Sequence, residues 1–164
     1  MSKQLAPITA TQSPGQRGPD ASILEVAILT TRGAAATPMR ELSEIDVVGV
    51  VGAGTMGNGI AQVAATAGYD VVMRDIADEY VRQGLDSVDD SLDRLSSKGR
   101  LDEEPTAIRD RITGTTDLDD LAAADLVVEA AVEEMDVKRD IFADLDTVTD
   151  DDVVLATNTS TLSI

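Results

Sequence analysis

Apolar positions along this chain recur with two different periods, and the period changes repeatedly from residue 45 onward. "IDVVGVV", residues 45–51, is a short unbroken apolar run, as expected for a strand covered on both faces. Residues 55–67 then place Met56, Ile60, Val63 and Ala67 at helical spacing, with Gly68 suited to end the helix. "YDVVMRD", 69–75, predicts a second strand. A long helix is predicted over 77–97, with Tyr80, Leu85, Val88, Leu92 and Leu95 on its buried side and Gly84 as a local weakness. A shorter helix is expected over 103–111, starting near Pro105. "RITGTT", 111–116, and "ADLVVEA", 124–130, predict two more strands. Residues 135–146 read as a helix with Val137, Ile141 and Leu145 on one face, and "DVVLATN", 152–158, as a fifth strand. Strands alternating with helices imply parallel pairing through right-handed crossovers.

The first 44 residues differ. They carry Pro7, Pro14, Pro19 and Pro38 with Gly15, Gly18 and Gly33, and only 21–31 has the makings of a short element. The segment reads either as a disordered extension or as an artefact upstream of a natural start at Met39. The expected organisation is therefore an N-terminal extension over 1–44 and one α/β domain over 45–164.

Four glycines fall within eight residues at the first strand–helix junction. Gly52-Ala53-Gly54-Thr55-Met56-Gly57 matches GxGxxG in the context that gives the pattern meaning, after a strand and at the start of a helix. Gly52 permits a tight turn, Gly54 lets a diphosphate approach the backbone, and Gly57 lets helix and strand pack closely. The helix N-terminus offers N–H groups and partial positive charge to the anion. Asp75 follows Gly57 by 18 residues, at the end of the second strand. A carboxylate there accepts from a ribose diol and repels a 2′-phosphate, favouring NAD over NADP. Neighbouring Arg74 argues the other way, but adjacent strand residues point to opposite faces. The alternative is a glycine-rich turn that binds no nucleotide. The predicted fold is an α/β, Rossmann-type, doubly wound parallel sheet with helices on both faces, incomplete at its C-terminus.

Composition narrows the chemistry. The chain has 164 residues and neither Cys nor His, so disulfides, Ser-His pairs and Cys-His pairs are excluded within it. Acidic residues outnumber basic ones 31 to 13, for a net charge of −18, and they are spread along the whole chain. There is no basic footprint for nucleic acid, and an anionic membrane surface would repel the chain. No apolar run approaches the roughly 18 residues of a bilayer span, and no signal peptide stands at the start. A halophilic, cytoplasmic protein with a solvated acidic surface is the expected setting. "DLDD", 117–120, and "TDDDVV", 149–154, lack the turn glycine and terminal Glu of a calcium loop and read as solvated acids rather than metal ligands.

"GAGTMGNGIAQ", "VVEAAVEEMDVKRDIF" and "ATNTSTLSI" together resemble the NAD-binding domain of L-3-hydroxyacyl-CoA dehydrogenases, including 3-hydroxybutyryl-CoA dehydrogenases. The resemblance runs from 45 to 164 and keeps the order and spacing of the blocks. It implies that Glu133 and Lys138 hold the nicotinamide-side ribose; a solvated helix start is the alternative. It implies that Ser160 touches both substrate oxygen and cofactor, with Asn158 lining the same pocket; a hydroxyl satisfying local backbone is the alternative. Ser91 and Lys98 fall where the family contacts the CoA nucleotide. The implied reaction is NAD-dependent oxidation of 3-hydroxyacyl-CoA, in fatty-acid β-oxidation or hydroxybutyrate metabolism, by homo-oligomeric full-length relatives. The family's histidine base and its orienting glutamate are expected beyond Ile164, with the helical domain that completes the substrate site. The chain is thus expected to carry the cofactor half of the enzyme and to be inactive by itself. A non-catalytic NAD-binding module and a dehydrogenase of the hydroxyisobutyrate type are the competing readings.

Overall fold

The computed structural model describes residues 27–28, 44–131 and 134–159. Its elements are β1 (Ala27–Ile28), β2 (Val47–Val51), α1 (Thr55–Thr66), β3 (Asp70–Arg74), α2 (Asp78–Ser96), α3 (Pro105–Arg109), β4 (Ile112–Thr115), β5 (Leu126–Glu129), α4 (Met135–Val148) and β6 (Val154–Thr157). A 3₁₀ turn, Asp119–Ala123, precedes β5. The sheet order is β1-β6-β5-β2-β3-β4. β2 to β6 are all parallel, and β1 pairs antiparallel with β6 at the edge. β1 falls inside the segment expected to be an extension; the rest of 1–43 lies outside the described residues. Among the described residues no helix is long and apolar enough to cross a membrane.

The apolar runs are explained by burial on both sides. Val48, Val50, Val71 and Met73 pack with Ala61, Ala65, Val88, Leu92, Ile108 and Ile112, under α1, α2 and α3. Val51 and Val127 pack on the opposite face with Leu121, Ala124 and Leu145, under the 3₁₀ turn and α4. Strands covered on both faces have no polar alternation to show. Away from the site, Arg111 ties the surface together, donating to the Ala65 carbonyl and pairing twice with Glu103 at 2.8 Å. That hydrogen bond holds the Glu103 carboxyl below the ordinary glutamate range.

Three helix faces differ from the sequence reading. α1 buries Gly57, Ala61 and Ala65, whereas Met56 and Val63 are 55% and 53% exposed. Close packing against the sheet selects the small residues at i, i+4 and i+8, and the large ones are turned outward. α2 buries Val81, Gly84, Val88 and Leu92, and Tyr80 faces outward. α4 turns Lys138 inward and leaves Val137 exposed, while Leu145 is buried as expected.

Gly84 is a contact point rather than a weakness. A Cβ there would stand 2.7 Å from the Ala53 carbonyl oxygen and 2.8 Å from the Ala53 Cβ. Alanine gains up to about 1 kcal/mol of helix propensity, but overpacking costs about 1–3 kcal/mol. Gly84→Ala is therefore expected to lower the thermal midpoint by a few degrees, as read by circular dichroism. A midpoint at or above wild type would show that α2 can back away from the loop.

Candidate functional site

The parallel ladder continues one residue past the strands, which aligns their C-terminal ends. Gly52 N–H donates to Arg74 O, Asp75 N–H to Thr115 O, Ala130 N–H to Val51 O and Asn158 N–H to Glu129 O. Gly52, Asp75, Ala130 and Asn158 therefore share one edge of the sheet. β2 lies between β3 and β5, so the chain moves one way from β2 to β4 and the other way from β5 to β6. The crevice between the ends of β2 and β5 is such a sheet's usual binding place.

The glycine loop occupies that position. Gly52 has φ of +102° and closes the turn, where a Cβ would meet the Ala130 carbonyl oxygen at 2.8 Å. Gly57 presses on the turn from the helix side: a Cβ there would lie 1.6 Å from the Gly52 carbonyl oxygen. Gly54 behaves differently, since a Cβ on it would meet nothing within 4 Å. It is the N-cap of α1, with no side-chain cap and no acidic residue in the first turn. Thr55 and Met56 are exposed beside it, while Ala53 is buried beneath. An open, uncapped helix start next to a glycine is a ready anion cradle. The residues present fit a dinucleotide diphosphate.

Asp75 joins this cradle by more than proximity. Its Oδ2 accepts from Ala53 N–H at 2.7 Å and its Oδ1 from Ile76 N–H at 2.7 Å. The two bonds fix the carboxylate at the tip of β3. About four lone-pair sites on a carboxylate leave room for a ribose diol. Arg74 is turned to another task, its Nε donating to Thr116 O at 3.3 Å.

The other predicted residues are distributed unevenly. Lys138 is 3% exposed, and its ammonium donates to both oxygens of Glu129 at 2.8 and 2.7 Å. Glu129, at 0% exposure, also accepts from Thr157 Oγ1 at 2.6 Å and from Ala131 N–H at 2.7 Å. The sequence reading passed over Glu129. Its signal was an acid ending an apolar strand, "LVVE", in a chain with three lysines, one of them nine positions on. Asn158 is exposed at the end of β6. Glu133 and Ser160 lie outside the described residues. Ser91 is half-buried on α2, and Lys98 is exposed in the turn beyond it, away from the loop. Among the described residues no acidic cluster is disposed to hold a metal ion; Asp117, Asp119 and Asp120 make local turn bonds with one another and Thr115.

Residues 47–164 match the family model for the 3-hydroxyacyl-CoA dehydrogenase NAD-binding domain. The chain belongs to this family. It is 47% identical over 116 residues to a probable 3-hydroxybutyryl-CoA dehydrogenase of Deinococcus radiodurans, covering 71% of this chain and 42% of that protein. The crystal structure of (S)-3-hydroxybutyryl-CoA dehydrogenase from Ralstonia eutropha superposes with a TM-score of 0.71 at 48% identity, over 74% of this chain and 43% of that one. A fatty acid oxidation complex subunit alpha of Psychrobacter arcticus is 36% identical over 128 residues, 76% of this chain and 18% of that subunit. The chain spans about two fifths of the length of the dehydrogenases it matches. NAD is the cofactor of the family's domain, in agreement with the glycine cradle and the carboxylate of Asp75.

Proposed function

We propose that this chain is the NAD-binding part of an enzyme that oxidises a 3-hydroxyacyl-CoA to the 3-oxoacyl-CoA. The observation that carries the reading is the Asp75–Ala53 bond beside the open start of α1, which readies a diphosphate cradle and a ribose acceptor together. NAD, when bound, accepts the hydride from the carbon bearing the substrate's hydroxyl. The chain's own residues bind and orient. The Gly52 and Ala53 amides fix the loop by donating to Arg74 and Asp75, the amides that follow at the open start of α1, up to Gly57, hold the diphosphate, and Asp75 accepts from the adenosine ribose. Glu133 and Lys138 serve the nicotinamide-side ribose, and Ser160 donates to the substrate oxygen, where developing charge gains most from a fixed donor. Asn158 lines the same pocket.

Ser91 and Lys98 would hold the CoA nucleotide. Gly84 touches Ala53, and Lys98 lies fourteen residues further on, about 20 Å along a helix at ~1.5 Å per residue. An extended CoA ester reaches such a remote anchor while its acyl end stays at the cofactor. The net charge of −18 supports a salt-rich cytoplasm and argues against nucleic acid or an anionic membrane as partner. Homo-oligomers are the expected assembly of the complete enzyme.

The chain contains no histidine, so an imidazole base is not available from it. A positioned base contributes about 10²- to 10⁴-fold. In molar salt the chain is expected to bind NADH in preference to NADPH, seen by fluorescence titration, and to turn over 3-hydroxybutyryl-CoA only at background rate. Equal binding of the two cofactors would remove the role given to Asp75. Robust NADH formation from the substrate would remove the division of labour.

A further inference from the structure

The buried cluster around Glu129 lies where the cofactor segment leaves the sheet. In the parallel register Glu129 stands opposite Val51, the last residue before the glycine loop. The carbonyl of the next residue, Ala130, sits against Gly52. One carboxylate thus gathers Thr157 from β6, Lys138 from α4 and the Ala131 amide from the β5–α4 connection. Four donor contacts match the roughly four acceptor sites a carboxylate has. Stability alone does not require this arrangement, because well-packed apolar groups in place of a buried ion pair are often as stable or more so. An ammonium has three donors; among the described residues two of those of Lys138 are committed, both to Glu129.

We propose that Glu129 is a positioning residue for the cofactor: its buried carboxylate holds the Lys138 ammonium and the start of the β5–α4 connection in the geometry that receives the nicotinamide-side ribose. The inference rests on the NAD-binding reading above. Glu129 itself touches no ligand. It acts through Lys138 and through Ala131 N–H. The adenosine half of the cofactor is served separately, by the glycine loop and Asp75.

That separation supplies the test. NADH contains the nicotinamide-side ribose and ADP does not, while both present a diphosphate and an adenosine. The wild-type chain, the shortened Glu129→Asp and the isosteric Glu129→Gln, both of which keep Lys138, are titrated with NADH and with ADP in molar salt, alongside thermal melts. Glu129→Asp keeps the charge but falls one methylene short of its partners; it is expected to bind ADP as the wild type does and NADH about tenfold more weakly or worse, the loss of one charge-assisted hydrogen bond. Glu129→Gln keeps the length but not the charge, and the same selective loss of NADH is expected. Undiminished NADH affinity in the folded variants, or equal losses of NADH and ADP, would overturn the proposal and reduce the cluster to a structural one. A wild-type chain that binds ADP and NADH equally would also overturn it while leaving the cradle intact. A wild-type chain that binds neither would take down the underlying reading as well.

Discussion

Replacing Gly57 by alanine is expected to cost the chain about 3 kcal/mol or more, the upper end of overpacking penalties. The added carbon would sit 1.6 Å from the Gly52 carbonyl oxygen, a backbone atom that no side-chain rotation can move away. Either α1 lifts from the sheet or the turn at Gly52 opens. Lifting α1 exposes Ala61 and Ala65, both fully buried beneath it. Opening the turn breaks the Gly52 N–H bond to Arg74 O. A loss of this size lowers the melting point by roughly 10 °C in a chain of this length, and NADH binding disappears with the cradle. Gly54→Ala is the instructive partner. Its backbone sits at φ −65°, which alanine adopts freely, and its Cβ would meet nothing. This variant is expected to melt near the wild type, since the gain of about 0.4–1 kcal/mol from a less free unfolded chain is offset by alanine's poorer fit at an N-cap. It nevertheless loses cofactor, because the new methyl enters the space reserved for the diphosphate. The two variants should therefore differ in their thermal melts while both lose NADH affinity. A Gly54→Ala chain with full NADH affinity would mean that the open space beside α1 is not the diphosphate site.

Asp75→Ala is expected to weaken NAD binding by about 100-fold or more. Two hydrogen bonds from the ribose diol to a carboxylate are lost, and a bond to a charged group is worth about 1.5–3 kcal/mol. The bond from Ala53 N–H is lost too, so the loop is less well fixed before the cofactor arrives. NADP responds differently. Its 2′-phosphate no longer faces a carboxylate, so its affinity falls less or rises, and the NAD preference collapses toward unity. Asp75→Asn separates the two contributions, since the amide oxygen can still accept from Ala53 while the charge is gone. Titration of each variant with both cofactors reads the result directly. An Asp75→Ala chain that still prefers NAD by the wild-type margin would place the ribose elsewhere.

The elements were legible because their burial is simple. Strands buried along most of their length, β2 and β5 above all, gave apolar runs, and each of the five parallel strands was placed within a few residues of its observed span. The edge strand Ala27–Ile28 falls within 21–31, the stretch read as a possible short element, but its bounds were not legible, because two residues of pairing leave no periodic trace. Gly52, Gly57 and Asp75 could be read from spacing alone, since each has a local duty to a turn, a helix start or a strand end. In the fold Gly57 presses on the Gly52 carbonyl, and Asp75 accepts from the Ala53 amide between them.

What the sequence determined by itself is the order of elements, the glycine turn and the acid that follows it, because these depend on short-range spacing along one chain. What only the tertiary structure decided is orientation. The turn at Gly52 and the press of Gly57 set the rotation of α1, so small residues face the sheet and Met56 and Val63 face out, against the apolar pattern. Gly84 became a contact with the loop, and Lys138 was drawn inward by Glu129, nine residues earlier and on a different element. A side chain's direction depends on what stands opposite it, and that is fixed only when the strands and helices have come together.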